Sequence, residues 1–359
     1  MRRLATIREI KDIKPIPDAD RIETAIVDGW ECVIAKKDGF QVGDKVVYIE
    51  VDSIVPEKPE FEFLRDRKFR VRTIKLKKQI SQGLVLSMSC LPAGKYNLDD
   101  DVTDIIGIKK YDPQGEQELR NARQVAEKSK NPFVKFLMRF KFFRKFYVKP
   151  KKGGFPKWIV KTDEERIQNK TIMFEIEKSN ETPFSVTEKI DGQSLTLFLE
   201  RLSKKKFEFG VCSRNLRLKN ADNSSWWTIA KQIDAENVLK QILGCGDKIV
   251  LQGEILGEGI QGNKYKISGY DFYAFNLIID GTKMETKYIK EILEPFGIKT
   301  VPIIEEGFML KDTIPDMVDY AKGQSVLHKC KREGVVIRNN ARDISFKVIN
   351  PEFLLEEKD

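Results

Sequence analysis

The chain has 359 residues and a formal net charge of +9, from 64 Lys and Arg against 55 Asp and Glu, which favours a polyanionic partner such as nucleic acid, nucleotide or anionic lipid. One histidine, His328, excludes multi-histidine metal sites, and five scattered cysteines without a CxxC pair argue against zinc ribbons, iron–sulfur clusters and a disulfide framework. No apolar run approaches ~18 residues and the N-terminus has no secretory signal, so we expect a soluble, intracellular protein without a membrane span.

Residues 1–105 read as short strands separated by tight turns. Asp28-Gly29, Asp38-Gly39 and Gly43-Asp44 lie between runs rich in β-branched residues. Turn signals at this spacing are typical of a small all-β barrel.

A later strand in this region, residues 70–78, is strongly basic. In a regular strand Arg70 and Arg72 would lie on the same face as Ile74 and Leu76. The polar face must therefore change sides, which predicts a β-bulge near Thr73. Two interpretations stay open for the strand: an edge protected by solvated lysines, or a surface that contacts nucleic acid.

Residues 106–160 form a predicted linker. From Asn131 to Thr162 the chain carries ten Lys or Arg and no acid. Five apolar residues fall on one face of a predicted helix: Phe133, Phe136, Leu137, Phe140 and Phe143. Such a basic amphipathic helix either binds a membrane surface, a partner or nucleic acid, or bridges two domains.

Residues 161–359 are predicted to be a mixed domain of antiparallel sheets with flanking helices, so the protein is placed in the α+β class. Thr162 to Glu165 fit a capping box that opens a helix through Arg166. Further helices are predicted at residues 225–242 and 286–295. The predicted strands are residues 184–190, 193–200, 207–213, 248–256, 270–279, 334–338 and 344–349.

The segment Lys189-Ile190-Asp191-Gly192 ends one of these strands in a tight turn. Residues i and i+2 of an extended run face the same side, so Lys189 and Asp191 are expected on one pocket wall. A deprotonated amine is a nucleophile towards phosphorus. By itself, however, this short motif is more typical of a surface turn.

Four further pieces follow in order: Ser213-Arg214-Asn215, Glu254 in LQGE, Phe275 in FYAFNL, and Glu333 in KREGVVIR, with Lys347 in SFKVI closing the series. The ordered series resembles the lysyl-nucleotidyl transferase superfamily of ATP-dependent ligases and mRNA capping enzymes. TEKIDG, FPKWIVKTDEERIQN and the N-terminal IPDADRIETAIVDGW resemble nick-sealing RNA ligases of the Deinococcus/Naegleria type, which carry an N-terminal OB domain. The resemblance implies an OB domain at 1–105, the linker at 106–160 and a nucleotidyltransferase (adenylation) domain at 161–359.

The resemblance also implies catalytic roles. Lys189 becomes the nucleophile that takes AMP from ATP. Asp191, Glu254 and Glu333 become the ligands, through water, of Mg²⁺ or Mn²⁺, although some of these carboxylates are alternatively ribose contacts.

The nucleotide contacts are implied in the same way. Phe275 stacks on adenine and Glu188 reads its amino group. Arg214 contacts phosphate or ribose. Lys347 neutralises charge on the α-phosphate and helps to depress the pKa of Lys189.

Two positions depart from the pattern of many relatives. Ser345 stands where the first Lys of a Lys-x-Lys pair is common, and Asn276 stands where Asp follows the aromatic residue. Ser345 leaves open which side chains neutralise the charge on the phosphate. Neither departure removes the nucleophile, Lys189.

One motif points elsewhere. Gly257 to Gly262 spell GxGxxG after a strand, as in dinucleotide-binding folds. The residues that follow read as a loop rather than as the helix such a fold requires, so we expect no dinucleotide site.

The implied reaction joins a 3′-hydroxyl to a 5′-phosphate through lysyl-AMP and an adenylated 5′ end. The expected partner is RNA, at nicks in a duplex or at RNA–DNA hybrid ends, and the expected state is a monomer. A capping-type guanylyltransferase is the nearest alternative. Cap-forming enzymes usually carry their OB domain after the nucleotidyl domain, whereas here only residues 351–359 follow the last motif, so this alternative is disfavoured. A non-catalytic RNA-binding protein with a decayed nucleotidyl domain is the second.

Overall fold

The computed structural model describes residues 3–111, 152–162, 164–218 and 224–356. These residues form two compact units, the first ending at residue 111 and the second running from residue 152 to 356. The predicted helix with the phenylalanine face, Phe133 to Phe143, lies outside the described residues. Within them, no helix has both the length and the apolar character needed to cross a membrane.

Strands and helices are numbered here in chain order. The strands of the first unit are β1 Ala5–Pro15, β2 Ile22–Val27, β3 Trp30–Ala35, β4 Lys45–Ile49, β5 Ser53–Ile54, β6 Arg70–Val71, β7 Thr73–Leu76, β8 Gln79–Gln82, β9 Leu84–Ser87 and β10 Lys109–Lys110, with helix α1 at Thr103–Ile106. The strands of the second unit are β11 Lys152–Gly154, β12 Phe184–Lys189, β13 Gln193–Ser203, β14 Lys206–Cys212, β15 Leu216–Leu218, β16 Lys248–Gly257, β17 Tyr270–Ile279, β18 Thr282–Lys283, β19 Lys299–Thr300, β20 Ile303–Phe308, β21 Gly334–Asn339 and β22 Ile344–Ile349. Its helices are α2 Thr171–Ser179, α3 Ser225–Gln232, α4 Ala235–Leu243, α5 Thr286–Leu293, α6 Ile314–Ala321 and α7 Pro351–Leu354.

The first unit is built from three short antiparallel sheets, in the orders β3-β2-β1-β4-β9, β10-β5-β6 and β7-β8. In β3 the buried residues Trp30, Cys32 and Ile34 alternate with half-buried ones, as expected for a strand with one face on a core. Strand β4 is buried from Val46 to Ile49, because both of its faces are covered. This small all-β unit agrees with the prediction for residues 1–105.

The predicted bulge near Thr73 is wrong. Residues 70–71 pair with β5, whereas residues 73–76 pair with β8, so the chain changes sheets at Arg72. The side-chain phase changes because the strand ends there and a new one begins. The exposed lysines of this region lie around the β7–β8 turn: Lys75, Lys77 and Lys78.

The larger sheet of the second unit has the order β11-β15-β14-β13-β16-β17-β18, with β19 pairing in parallel with β17. One face of its central strands carries the largest core among the described residues, where Leu251 and Ile255 pack with residues of α3, α4 and α5. The opposite face of β16 carries Gln252 and Glu254, because side chains alternate along a strand. This opposite face holds one wall of the candidate site.

The smaller sheet has the order β20-β12-β21-β22 and is antiparallel throughout. Phe184, Val186, Phe346 and Val348 point into a core that also includes Phe174 of α2. Lys189 and Lys347 are an odd number of residues from these positions, so their strands present them on the other face. This face holds the second wall of the candidate site.

Two helix predictions are wrong. The chain at Glu164 and Glu165 forms no helix; instead Lys347 donates a backbone hydrogen bond to the Glu165 carbonyl at 2.8 Å, and the next α-helix is α2. The helix expected at 225–242 is divided into α3 and α4 by Asp234, whose φ is 47°. A non-glycine residue in the left-handed region interrupts the helical hydrogen bonds.

Candidate active site

Lys189 is the last residue of β12, and its backbone lies opposite Gly334 of β21. Its Nζ donates to Glu333 Oε2 at 2.7 Å, with 24% and 15% of the two side chains exposed. Glu333 directly precedes β21, so the sheet register brings together two residues that are far apart in the sequence. The predicted nucleophile is therefore paired with a predicted metal ligand.

Glu254 reaches the same place from the larger sheet. Burial raises the pKa of Glu254 to about 8; Lys189 and Arg214 oppose the shift, and the Glu333 and Asp191 carboxylates add to it. Its Oε2 is buried without a hydrogen-bond partner among the described residues. A buried carboxylate oxygen left without a donor is costly for folding, which indicates that it serves a ligand.

The carboxylates determine the protonation of the amine. Burial lowers the pKa of Lys189, but Glu333, Glu254 and Asp191 together raise it by more, so its pKa lies above the ordinary value. The expectation of a depressed pKa is wrong for this arrangement, because three acids surround the amine. Lys347 is close enough for its charge to lower the pKa of Glu333, against the larger effect of burial.

Asp191 is held in the turn after β12. Its Oδ2 accepts from Lys264 Nζ at 2.9 Å, and its backbone N–H donates to the Tyr265 hydroxyl at 2.9 Å. At the next residue, Gly192, a Cβ would lie 2.6 Å from the Ile255 carbonyl oxygen, so only glycine allows the turn to approach β16 this closely.

Phe275 lies on the cleft side of β17 because of a bulge. Gln252 pairs with Asn276 and Gly253 with Ala274, which leaves Phe275 as the extra residue. The Phe275 ring packs against the apolar cluster that includes Ile190, and its centroid is 5.6 Å from the Arg338 guanidinium carbon. Asn276 donates instead to Gln252 at 3.0 Å.

Glu188 and Arg214 occupy different surroundings. Glu188 is buried, and one carboxylate oxygen accepts from the Val326 backbone N–H at 2.8 Å. Burial raises its pKa, and its second oxygen has no hydrogen-bond partner in the described part of the chain. Arg214 is exposed in the connection between β14 and β15, near enough for its charge to act on Glu254.

A buried network beside the site contains residues to which the sequence assigned no role. Arg338 donates to Thr187 Oγ1 at 3.1 Å and to Glu164 at 3.3 Å, and Ser345 donates to the other oxygen of Glu164. Glu164 is therefore a partner of Arg338 rather than a residue in the first turn of a helix. A charged residue inside an otherwise apolar strand, Arg338 in GVVIR, is the signal that points to such a network.

The donor chemistry of the cleft fits a hard divalent cation. The described residues contain no group of three or more His, Cys, Asp or Glu side chains that is arranged to hold a metal ion directly. Asp191, Glu254 and Glu333 nevertheless supply oxygen atoms to one cleft, and Glu254 Oε2 is without a donor. Oxygen donors of this kind suit Mg²⁺ or Mn²⁺ bound through intervening water molecules.

Comparisons with known proteins identify the family. A family model described as RNA ligase matches residues 182–349, and an OB-fold domain model matches residues 4–88. A variant of Naegleria gruberi RNA ligase with ATP and Mn is 32% identical, with a TM-score of 0.78 over 100% of both chains. The chain belongs to the RNA ligase family. The predicted resemblance to ligases of this type, and the α+β fold with an N-terminal OB domain, are confirmed.

Other structures of the same ligase give similar values. A variant with AMP and Mn is 32% identical with a TM-score of 0.77 over 98% of each chain. The enzyme with PPi is 32% identical with a TM-score of 0.77, over 99% of this chain and 98% of that one. No curated protein matches the chain. The ligase match at 182–349 includes every predicted site residue from Glu188 to Lys347.

Proposed function

We propose that this RNA ligase uses ATP to join a 3′-hydroxyl to a 5′-phosphate through AMP bound covalently to Lys189. The observation that carries the proposal is the part-buried pair of Lys189 Nζ and Glu333 Oε2 at 2.7 Å. Two further acids, Glu254 and Asp191, are close enough to influence the same amine. A structural ion pair needs one acid, whereas the charges of three acids act on this amine, and Lys264 is paired with one of them, Asp191.

In the first step Lys189 Nζ attacks the α-phosphorus of ATP. An N–P bond forms and the P–O bond to pyrophosphate breaks. Because its pKa is raised, the amine starts as an ammonium group and loses two protons, one before the attack and one as the N–P bond forms. Glu333 Oε2 is within hydrogen-bond distance of Nζ and accepts the first, and the second leaves to water or to the departing pyrophosphate. Lys347 and Arg214 supply positive charge where negative charge builds on the phosphate oxygens.

In the second step the AMP passes from Lys189 to the 5′-phosphate of the RNA. In the third step the 3′-hydroxyl attacks that phosphate and AMP leaves. Phe275 stacks on the adenine throughout, and its place on the cleft side of β17 supports this role. Glu188, which has one carboxylate oxygen without a partner in the described residues, is assigned to the amino group of adenine.

Asp191, Glu254 and Glu333 are the residues that hold Mg²⁺ or Mn²⁺ through water. The cation, when bound, screens the negative charge of the phosphates. The chain's own cations, Lys347 and Arg214, act on the same charge from the protein side.

We assign the RNA-binding role to the OB domain of residues 1–105 and the basic linker of residues 106–160, ahead of the adenylation domain at 161–359. The net charge of +9 and the exposed lysines Lys75, Lys77 and Lys78 support contact with a phosphate backbone. The substrate is a nicked duplex of RNA or of RNA and DNA, and the enzyme acts as a monomer. All five cysteines are free, which supports a reducing, intracellular location.

Incubation with each α-labelled nucleoside triphosphate and Mg²⁺ or Mn²⁺, followed by a denaturing gel, tests the proposal. We expect an adduct from ATP alone. Labelling by GTP instead indicates a guanylyltransferase, and tight RNA binding without any adduct indicates a non-catalytic protein. Nicked duplexes with ribose or deoxyribose at the 3′ end then define the substrate.

A further inference from the structure

The segment that spells GxGxxG has a rigid, non-helical structure. It connects β16 to β17 through a short 3-10 turn at Gln261–Asn263. The Asn263 side chain bonds both the N–H and the carbonyl of Ile267, at 3.0 and 2.9 Å. At Gly257 a Cβ would lie 2.0 Å from the Gly269 carbonyl oxygen, so the two ends of the segment are in direct contact. The segment is therefore a fixed loop.

This loop presents two consecutive side chains to the turn that follows the nucleophile. Tyr265 is 4% exposed and packs with Ile190 and Leu256 in an apolar cluster, while its hydroxyl accepts the Asp191 N–H. Because Asp191 is two residues from Lys189, this hydrogen bond fixes the backbone from which the amine projects.

Lys264 acts on the side chain of the same residue. Its Nζ lies 2.9 Å from Asp191 Oδ2 and 3.8 Å from the centroid of the Phe353 ring. A cation placed against a ring and a carboxylate is restricted on both sides, so it fixes the orientation of the carboxylate as well as offsetting its charge. The loop thus controls both the backbone and the side chain of Asp191.

We propose that Tyr265 and Lys264 are positioning residues for the adenylation of Lys189, acting through the Asp191 turn. The inference depends on the function proposed above. Attack on the α-phosphorus requires the amine at a defined distance and angle, and a small displacement slows it strongly. When the third step starts from RNA that already carries AMP, Lys189 forms no bond, so that reaction depends much less on its position.

The first test is Tyr265→Phe, which removes the accepting hydroxyl and keeps the ring in its cluster. We expect the rate constant of AMP-adduct formation to fall at least tenfold, with the half-saturating ATP concentration changed less than threefold. Sealing of a nicked duplex that already carries AMP on its 5′-phosphate should stay within threefold of the unmodified enzyme. An unchanged adenylation rate, or an equal fall in both reactions, would overturn the proposal.

The second test uses the lysine and does not depend on how Tyr265→Phe folds. Lys264→Met should lower adenylation at least tenfold, and Lys264→Arg should restore most of it, because Arg keeps both the ion pair and the ring contact. Lys266→Met, two residues away and exposed, is the matched control and should behave as the unmodified enzyme. Failure of Lys264→Arg to exceed Lys264→Met would contradict the proposal.

Labelling of the unmodified chain distinguishes failure of the proposed function from failure of the positioning role alone. If it forms no AMP adduct at all, the proposed function fails and this inference fails with it. If it forms the adduct and Tyr265→Phe and Lys264→Met form it at the same rate, only the positioning role fails.

Discussion

Strand β12 contributes to two buried charged clusters that have different compositions. Thr187 accepts from Arg338, which is paired with Glu164. The second cluster lies two residues further on, where Lys189 is paired with Glu333. The charges of Glu254 and Asp191 also act on its amine. The first cluster pairs one cation with one carboxylate, whereas the second groups three carboxyl groups with four cations, Lys189, Lys264, Lys347 and Arg214.

The difference separates a structural cluster from a reactive one. Around Arg338, both terminal guanidinium nitrogens and both Glu164 oxygens have partners, and only the Nε of Arg338 has none among the described residues. Around Lys189, Glu254 Oε2 has none among the described residues, and its carboxyl group is buried. An unpartnered buried acid lowers the stability of the fold, so the presence of Glu254 here is best explained by a bound ligand. Substitutions around Lys189 should therefore mainly lower the rate of adenylation, whereas substitutions around Arg338 should mainly lower the free energy of unfolding.

Lys189→Ala should produce the largest effect, complete loss of the AMP adduct, because the nucleophile is removed. A denaturing gel after incubation with labelled ATP measures this. Lys287→Ala, at an exposed lysine of α5, is the control and should label normally. An adduct on Lys189→Ala at the normal level would show that another residue is the nucleophile.

Glu254→Gln should lower the rate of adenylation by about 100-fold or more, as for removal of a group that acts on developing charge. The melting temperature should stay the same or rise, because burial disfavours the charged form of this carboxyl group, and glutamine stays neutral at every pH. Rapid-quench labelling and thermal unfolding measure the two quantities. A large fall in both the adenylation rate and the melting temperature would instead indicate that Glu254 has a structural role.

Arg338→Met should lower the free energy of unfolding by about 3 kcal/mol, because Glu164 is left buried without its cation. Chemical denaturation measures the loss. The double variant with Glu164→Gln should recover part of it, since no unpaired charge remains. Strictly additive effects of the two substitutions would indicate that the pair does not act as a unit.

Ser345→Ala should have the smallest effect, a loss of about 1 kcal/mol from one hydrogen bond to Glu164. Adenylation should change less than threefold, because the hydroxyl serves the cluster around Arg338. A fall of tenfold or more in adenylation would instead give Ser345 a part in handling the phosphate.

Strands were predicted well because their signal is local. Residues 270–279 and 344–349 form strands with the predicted limits, since alternating side chains and flanking turn residues are short-range properties. The predicted helix at Thr162 failed because Glu164 and Glu165 have partners far along the chain, and these outweigh the capping signal. Resemblance to a family, rather than periodicity, named the site residues.

The sequence by itself determined the longer strands apart from β20, the order of the motifs and the identity of the amine with its neighbouring Asp191 and Gly192. Only the tertiary structure decided that Glu333 is the acid paired with Lys189, that the pKa of Lys189 is raised, and that Tyr265 holds the turn. The physical reason is that alternation and turns depend on adjacent residues. Burial and ion pairing depend instead on sheet register, which joins residues that are far apart in the chain.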